Sequence, residues 1–306
     1  MKVRFSVLMP VYNRAKYVRQ AIDSLLSQTF SNFELFAIDD GSTDGTLEVL
    51  ESYGTRIRVI RQVNQGPEVA RNNAAAIAEG EYLALLDSDD LLLPCALETY
   101  DRIIRSCDSP PLIIGSMTYF EEGQSIPAQT QAPRPVELLT YPDYLSKGVS
   151  VGLSSSRIVI RKSLFDEVGG LRNSTPETFH LDDFNLVLKT GTCGPCIFVQ
   201  RPCTVAYRKH DTNSIRNPKA LVDGILALIR TENKGQYPGG QERRWARYAC
   251  IGGIAATWIK YSWNRGFKKL AVQLLLGSSP MVFAAVCKKI AAYARKSAPP
   301  MVLPDP

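Results

Sequence analysis

Short β-branched and apolar runs alternate with amphipathic stretches through the first hundred residues of this chain. Strand-like runs occupy 5–11, 33–38, 56–60 and 82–86. Between the first two runs, Val18, Ile22 and Leu25 recur at steps of three and four residues, which predicts a helix over 15–28. This alternation is typical of βαβ units, so we expect an α/β fold with a mostly parallel sheet flanked by helices.

Turn and capping residues extend this prediction along the chain. We expect a second helix from Ser42 or Thr43 to Gly54 and a third from Pro67 to Gly80, because hydroxyl side chains cap helix N-termini and glycine ends helices. A buried strand over 112–117 precedes a polar loop that reaches 142, which we interpret as a lid or an acceptor surface. The remaining pattern predicts more strands and helices over 150–215 and mainly helices over 216–296. These changes divide the chain into three segments: 1–106, 107–215 and 216–306.

Polar residues follow three of the predicted strands directly. The segments are Pro10-Val-Tyr-Asn-Arg14, Asp39-Asp-Gly-Ser-Thr-Asp-Gly45 and Asp87-Ser-Asp-Asp90. In an open α/β sheet the ligand lies beyond the carboxyl ends of the strands, so these segments should converge on one crevice. Neither acidic segment has the glycine pattern of a dinucleotide-binding turn or of a P-loop. A diphosphate bound here would need a cation, and paired carboxylates suit Mg²⁺ or Mn²⁺. The alternative reading is that these aspartates are ordinary turn and capping residues.

Several motifs in the same order resemble those of family-2 glycosyltransferases with the GT-A fold. They are Ser6-Val-Leu-Met-Pro-Val-Tyr-Asn-Arg14, Ile38-Asp-Asp-Gly-Ser-Thr-Asp-Gly-Thr46, Ala70-Arg-Asn72, Leu86-Asp-Ser-Asp-Asp90, Phe165-Asp-Glu-Val-Gly-Gly-Leu171, Leu181-Asp-Asp-Phe184 and Tyr207-Arg-Lys-His210. The resemblance implies a GT-A fold in which 1–106 is the half that binds a nucleotide sugar, 107–215 is the acceptor and catalytic half of the same domain, and 216–306 forms a helical basic region. It also implies transfer of a sugar from a nucleoside-diphosphate donor, and we expect that donor to be a UDP-sugar. The acceptor would be a hydroxyl of a saccharide or a lipid-linked molecule in polysaccharide or glycolipid synthesis.

By the same resemblance, Tyr12 lies against the nucleobase and Asp40 accepts a hydrogen bond from its ring N–H. Arg14 and Arg71 meet the base or the phosphates. Asp87 contacts the ribose or supports the metal, and Asp89 binds the metal. These roles suit the residue types, because an aromatic face stacks and arginine pairs with phosphate. Two neighbours complete the predicted nucleotide site: Pro10 and Ser88.

The resemblance places the general base in an acidic pair ahead of an aromatic residue. By position Asp183 is the base and Asp182 supports it, which predicts an inverting, non-processive transfer. The family more often has Glu-Asp-Trp-Asp, so Asp182, Phe184 and Asn185 are departures that bear on acceptor contacts. Either aspartate could also act as a helix N-cap. Burial would have to raise the pKa of Asp183, because a helix N-terminus favours the charged form.

His210 closes the Tyr-Arg-Lys-His motif, where the resemblance implies a loop over the diphosphate. We expect His210 to contact the metal or a phosphate and Arg208 to support it with a positive charge, with a surface histidine as the alternative. Cys193-Gly-Pro-Cys196 matches a thioredoxin dithiol, but a strand-like run follows it, so we interpret it as a turn rather than as a redox or zinc site. The alternative to glycosyl transfer is that the protein binds a nucleotide sugar without turnover.

The net charge of +6 is concentrated near the C-terminus, where 241–297 holds eleven Lys and Arg but a single acid, Glu242. Aromatic and apolar residues recur there beside cations: Trp258, Tyr261, Trp263, Phe267, Leu270 and Leu274, with Lys260, Arg265, Lys268 and Lys269. This pattern predicts peripheral membrane contact through 241–296, the alternative being that the apolar face packs on the protein itself. No nucleic-acid motif accompanies these cations, so nucleic acid is not expected as a partner.

The longest apolar stretch, 270–287, contains Gly277-Ser-Ser-Pro280. We expect the helix to break there, and we expect no transmembrane span. Gln241-Glu-Arg-Arg-Trp245 resembles a motif of processive synthases. Those enzymes need a membrane channel, and no span is expected here, so we interpret the match as coincidental. Met1 leads directly into the first strand-like run and the seven cysteines are scattered, so we expect a cytoplasmic protein with reduced thiols.

Overall fold

The computed structural model describes residues 2–124, 135–147, 152–171, 181–211, 213, 217–294 and 300–303. Residues 125–134 of the predicted lid and residues 148–151 therefore lie outside the described residues. The strands are β1 (Phe5–Val11), β2 (Phe33–Asp39), β3 (Arg58–Arg61), β4 (Tyr82–Leu85), β5 (Leu91–Leu92), β6 (Leu112–Ile114), β7 (Met117–Glu121), β8 (Val136–Tyr141), β9 (Ile158–Arg161), β10 (Cys196–Arg201), β11 (Val205–Lys209) and β12 (Met301–Leu303). The helices are α1 (Val18–Leu26), α2 (Thr46–Glu51), α3 (Pro67–Ile77), α4 (Ala96–Ser106), α5 (Lys162–Glu167), α6 (Asp182–Lys189), α7 (Pro218–Asn233), α8 (Arg244–Asn264) and α9 (Lys268–Ala294).

Nine of the described strands form one sheet in the order β12-β8-β10-β6-β9-β4-β1-β2-β3. The pairs of β1 with β2, β1 with β4 and β2 with β3 are parallel, whereas β9 runs antiparallel to both β4 and β6. Following the pairings across the sheet, β8 and β9 oppose the other seven strands. The sheet is therefore mixed but mostly co-directional, and the expected α/β fold with flanking helices is confirmed.

A second, three-stranded sheet in the order β5-β11-β7 lies beside the carboxyl ends of the main strands. Ala206 of β11 pairs with Leu91 of β5, directly after the Asp87–Asp90 segment. This pairing holds the Tyr207–His210 motif against that acidic segment. Two motifs that are 120 residues apart in sequence thereby share one site.

The sheet separates two apolar layers. Alternate residues of β1, such as Val7 and Met9, are fully buried on the side of α1 and α4, while Leu8 packs on the other side with α3 and the C-terminal helices. Period-two burial on both faces is what a central strand requires. The second layer includes Leu228 of α7 and Ile251 of α8, so the core is continuous from the sheet into the region after residue 216.

The predicted start of the second helix at Ser42 or Thr43 is wrong. Ser42 Oγ accepts a hydrogen bond from the Asn13 backbone N–H at 3.0 Å, and the Thr43 backbone N–H donates to Asn13 Oδ1 at 2.8 Å. These residues fix the loop after β1 instead of capping a helix, and α2 begins only at Thr46, after Gly45.

The predicted break at Gly277–Pro280 is also wrong, since α9 continues through Pro280. Proline removes one backbone N–H, and here it lies on an exposed part of the helix, where water can satisfy the carbonyl that loses its partner. Among the described helices, α9 alone is long and apolar enough to cross a bilayer, with a mean hydropathy of 1.8 over Lys268–Ala291. About one third of its most apolar window is buried in the protein.

Candidate functional site

A pocket of about 530 Å³ opens beyond the carboxyl ends of β1, β2 and β4. Ten of the predicted site residues line it: Pro10, Tyr12, Arg14, Asp40, Arg71, Asp87, Ser88, Asp89, Asp182 and Asp183. The other two, Arg208 and His210, lie beside Asp89. The structure therefore brings the sequence-predicted residues together, while their individual roles stay predictions.

Asp89 is the most strongly paired acid of the site. Its Oδ2 lies 2.9 Å from His210 Nε2 and 3.3 Å from Arg14 Nε. Burial would raise the pKa of Asp89, but the hydrogen bond with His210 and the charge of Arg14 outweigh burial and lower it below the ordinary value. Asp89 is therefore ionised, as a ligand for a cation must be.

His210 is held in place by an aromatic ring and by backbone contacts. The Tyr17 ring stacks on its imidazole with centroids 4.8 Å apart, and its own backbone N–H donates to Asn213 Oδ1 at 2.6 Å. At 6% exposure it is not a surface histidine. Its ring is fixed against Asp89.

Arg208 was expected to supply positive charge in support of His210, but it is not among the residues that line the pocket. Its Nε donates to the Asp89 backbone oxygen at 2.8 Å and its Nη2 to Gln20 Oε1 at 2.6 Å, and its guanidinium lies over the rings of Tyr17 and Phe120. These contacts use the guanidinium to support the turn that carries Asp89.

Arg71 was expected to meet the base or the phosphates. The structure instead places its guanidinium, 2% exposed, between two carboxylates. Nη1 donates to Asp182 Oδ2 at 2.7 Å, and Nη2 pairs with Asp87 Oδ1. Burial, together with the charges of Asp89 and Asp182, raises the pKa of Asp87 to about 6 in spite of Arg71. Arg71 therefore links the acid at the end of β4 to the acidic pair of α6.

Asp40 is nearly saturated with hydrogen bonds. Its Oδ1 accepts from Gln62 Nε2 at 2.8 Å and from the Gln65 N–H at 2.9 Å, and its Oδ2 accepts from the Gly66 N–H at 2.8 Å. A carboxylate has about four acceptor positions, so one remains for a base N–H. Tyr12 differs, since its ring is 46% exposed at the pocket and is free to stack.

Asp183 lies in the first turn of α6, whose N-cap is Leu181. Neither aspartate of the pair is the N-cap, so that alternative is wrong. Asp183 Oδ1 accepts from the Phe184 N–H at 2.7 Å. Burial, followed by the charge of neighbouring Asp182, raises the pKa of Asp183 to about 8. A carboxylate with such a pKa is basic enough to accept a hydroxyl proton in concert with bond formation.

Asp89 and His210 are the residues that would hold a divalent cation. Asp89 Oδ2 and His210 Nε2 lie 2.9 Å apart, and a carboxylate oxygen and an imidazole nitrogen are both common ligands of such ions. Among the described residues, no three His, Cys, Asp or Glu side chains converge into a complete metal site. An ion held here would complete its coordination with water and phosphate oxygens, as Mg²⁺ commonly does.

The sequence analysis assigned no site role to two groups of residues. Asp90, 1% exposed, accepts from Ser156 Oγ at 2.7 Å and from the Arg208 N–H at 3.0 Å, which ties three segments together beneath the pocket. Ile254 and Trp258 of α8 line the far wall of the pocket. The aromatic periodicity of α8 was the available signal for that wall, and it left open whether this face contacts a membrane or packs on the protein.

The raised pKa of Asp183 has a consequence for stability. The unfolded chain loses this proton near pH 3.8, whereas the folded protein keeps it up to about pH 8. Between these values the folded state binds the extra proton, so this group's contribution to the free energy of unfolding falls as pH rises and is lost above pH 8. We expect Asp183→Asn to melt at a higher temperature than the parent at pH 9, with a smaller difference at pH 5.

Thermal melts at pH 5, 7 and 9 check this expectation. Asp166→Asn, which alters an exposed acid paired with Lys162, is the matched control. A difference in melting temperature between Asp183→Asn and the parent that stays constant with pH would contradict the raised pKa.

Comparison with known proteins agrees with this geometry. The model of the family described as glycosyl transferase family 2 matches residues 6–169, more than half of the chain. The chain belongs to glycosyl transferase family 2. The glycosyltransferase GlyG of Streptococcus pneumoniae is 29% identical to this family member over 196 residues, covering 59% of the chain and 65% of GlyG. The chain thus spans slightly less than two thirds of that relative.

Two solved structures share the fold of this family 2 protein. Staphylococcus aureus TarS 1–349 in complex with UDP-GlcNAc has a TM-score of 0.65 at 18% identity, covering 92% of this chain and 81% of that one. The mannosyltransferase PcManGT of Pyrobaculum calidifontis, in complex with GDP-Man and Mn²⁺, has a TM-score of 0.51 at 15% identity, covering 96% and 85%. At these identities the likeness shows the fold alone.

Proposed function

We propose that this protein transfers a sugar from a UDP-sugar to an acceptor hydroxyl, with inversion at the anomeric carbon and without processive elongation. One observation carries the proposal. A single pocket joins the nucleotide-facing residues at the strand ends to Asp183, a buried carboxylate with a pKa raised to about 8. Family membership supports glycosyl transfer as the reaction class.

The donor would occupy the edge formed by β1, β2 and β4. Tyr12 offers an exposed ring to the base, and Asp40 has one acceptor position left for a ring N–H. Arg14 lies close enough to Asp89 to exchange that partner for a phosphate oxygen. The UDP-GlcNAc held by TarS, a protein of the same fold, supports a uridine donor.

Asp183 would act on the acceptor. It takes the hydroxyl proton while the acceptor oxygen forms a bond to the anomeric carbon, and the bond from that carbon to the diphosphate breaks with its electron pair on UDP. Asp182, held by Arg71 at 2.7 Å, lies beside Asp183 and helps to raise the pKa of that carboxyl, which increases its basicity. One base and one displacement give inversion.

Asp89 and His210 would hold Mn²⁺ or Mg²⁺. When bound, the ion supplies positive charge to the leaving diphosphate. The protein's own residues bind the donor, orient the acceptor and remove the proton. PcManGT, which shares the fold, is in complex with Mn²⁺, and this supports a divalent ion as a cofactor.

A nucleotide-sugar panel with Mn²⁺ tests the proposal. At a hundred times its dissociation constant the right donor should add about 2.7 kcal/mol to the free energy of unfolding. The same donor should then be hydrolysed slowly without acceptor and more rapidly consumed with one. Tight donor binding without any turnover would instead favour the second candidate, a nucleotide-sugar-binding protein.

Replacement of Tyr12 should weaken UDP binding. Stacking of a base on an aromatic ring contributes about 1–3 kcal/mol, so we expect Tyr12→Ala to raise the dissociation constant for UDP by about five- to a hundredfold. Titration calorimetry measures it. Tyr12→Phe keeps the ring and should bind nearly as the parent does. Equal losses in both variants would show that the ring face is not the contact.

A further inference from the structure

The outer face of α9 carries an exposed apolar stripe. At about 100° per residue, its six members fall within an arc of about 100° on one side of the helix. They are Val272, Leu275, Leu276, Phe283, Val286 and Ile290. Leu276 is 75% exposed and Ile290 66%. A large exposed apolar patch of this kind marks an interaction surface rather than ordinary scatter.

The opposite face of α9 is packed on the protein. Leu274, Ser278 and Met281 are buried, and α9 lies so close to α8 that a Cβ on Gly252 would fall 1.8 Å from the Met281 backbone oxygen. Lipid therefore cannot surround the helix while the fold is intact. The stripe can meet a bilayer only from the side, with the helix axis along the surface.

Cations surround the stripe. Lys268 and Lys269 lie at one end of it and Lys289 near the other, all exposed, and within the described part of the chain none of the three forms a salt bridge. Glu242 is the only acid in 241–297. Two exposed aromatic residues precede the stripe, Trp263 and Phe267. Unpaired cations at the rim of an apolar face are complementary to anionic headgroups above acyl chains.

We propose that the outer face of α9 docks on an anionic lipid surface with the helix axis parallel to the membrane. This assignment differs from the membrane face predicted from the sequence, because Leu274 is buried and Trp258 and Leu270 pack against the core. The docking surface lies on α9, and α8 is the layer between it and the pocket.

Vesicle sedimentation of the full chain tests the proposal. At low salt we expect the protein to sediment with vesicles containing anionic phosphatidylglycerol, to do so several-fold less with phosphatidylcholine alone, and to be released at 0.5 M salt. Leu276→Glu should lower the bound fraction several-fold. Ile77→Glu makes the same charge change at an exposed isoleucine of α3 and should bind as the parent does.

Four outcomes would overturn the proposal. The first is no binding to either kind of vesicle, and the second is an equal loss of vesicle binding in Leu276→Glu and Ile77→Glu. The third is vesicle binding that resists both 0.5 M salt and extraction with alkaline carbonate. The fourth is a dimer that Leu276→Glu dissociates while vesicle binding is unchanged. Resistance to extraction would mean that α9 inserts across the bilayer, and the dimer result would make the stripe an interface between copies. UDP binding by each variant is measured in parallel, so a failure of the proposed transferase activity remains distinguishable from a failure of docking.

Discussion

Asp183→Asn is expected to lower turnover by roughly a hundredfold or more, the usual size of the effect when a general base is removed. The amide keeps the shape of the carboxylate and still accepts the Phe184 N–H, but it cannot take a proton. Donor affinity should stay within a few fold of the parent, because Asp183 is not among the residues proposed to hold the nucleotide. Steady-state kinetics with the donor that the nucleotide-sugar panel selects, together with calorimetry, separates turnover from donor affinity.

The pH dependence of the parent gives an independent check. Asp183 acts only when it is deprotonated, so turnover should fall as pH drops below about 8. Asp166→Asn should retain both the rate and the profile. If Asp183→Asn keeps turnover within a few fold of the parent, the base lies elsewhere.

Asp89→Ala is expected to remove the metal-dependent part of UDP binding. In the parent, Mn²⁺ should strengthen UDP binding, while in the variant affinities with and without Mn²⁺ should become nearly equal. Loss even of groups that only support a metal ligand costs roughly ten- to a hundredfold in metal affinity, and loss of the ligand itself should cost at least as much. Calorimetry with UDP at fixed Mn²⁺ measures the effect.

The matched control for this experiment is Asp223→Ala, which removes an acid paired with Lys219 on α7, outside the pocket. It should bind UDP and Mn²⁺ as the parent does. A melt of Asp89→Ala without ligand establishes that the variant is folded, since His210 and Arg14 lose a partner. Unchanged Mn²⁺ dependence in a folded variant would remove Asp89 from the metal site.

The sequence predicted the strands of the first half closely because their pattern is local. Burial on both faces makes β1 and β4 almost continuous apolar runs, and the acids at the ends of β2 and β4 mark the crevice. The start of α2 failed because Ser42 and Thr43 bond to Asn13, 29 and 30 residues earlier. Capping rules describe neighbours in sequence and contain no information about such a partner.

Long-range pairing also explains what the sequence could not predict within the site. Arg71 was expected to meet the base or the phosphates because arginine suits phosphate, whereas its pairing with Asp182, 111 residues away, forms only in the folded chain. For the apolar face that includes Trp258, the sequence left membrane contact and packing on the protein both open, because the residue pattern is the same in both cases. The positions of α7 and α8 against the sheet decide between them.

Within the acidic segment at the end of β4, Asp89 is the proposed metal ligand, whereas Asp90 has a structural role. Its two oxygens hold Ser156 Oγ and the Arg208 N–H, so the turn that carries Asp89, the segment before β9 and the strand leading to His210 are fixed relative to one another before any ligand arrives. The conformational entropy of these three segments is lost during folding and does not have to be lost again when the donor binds. A residue that touches no donor atom can in this way contribute to donor affinity.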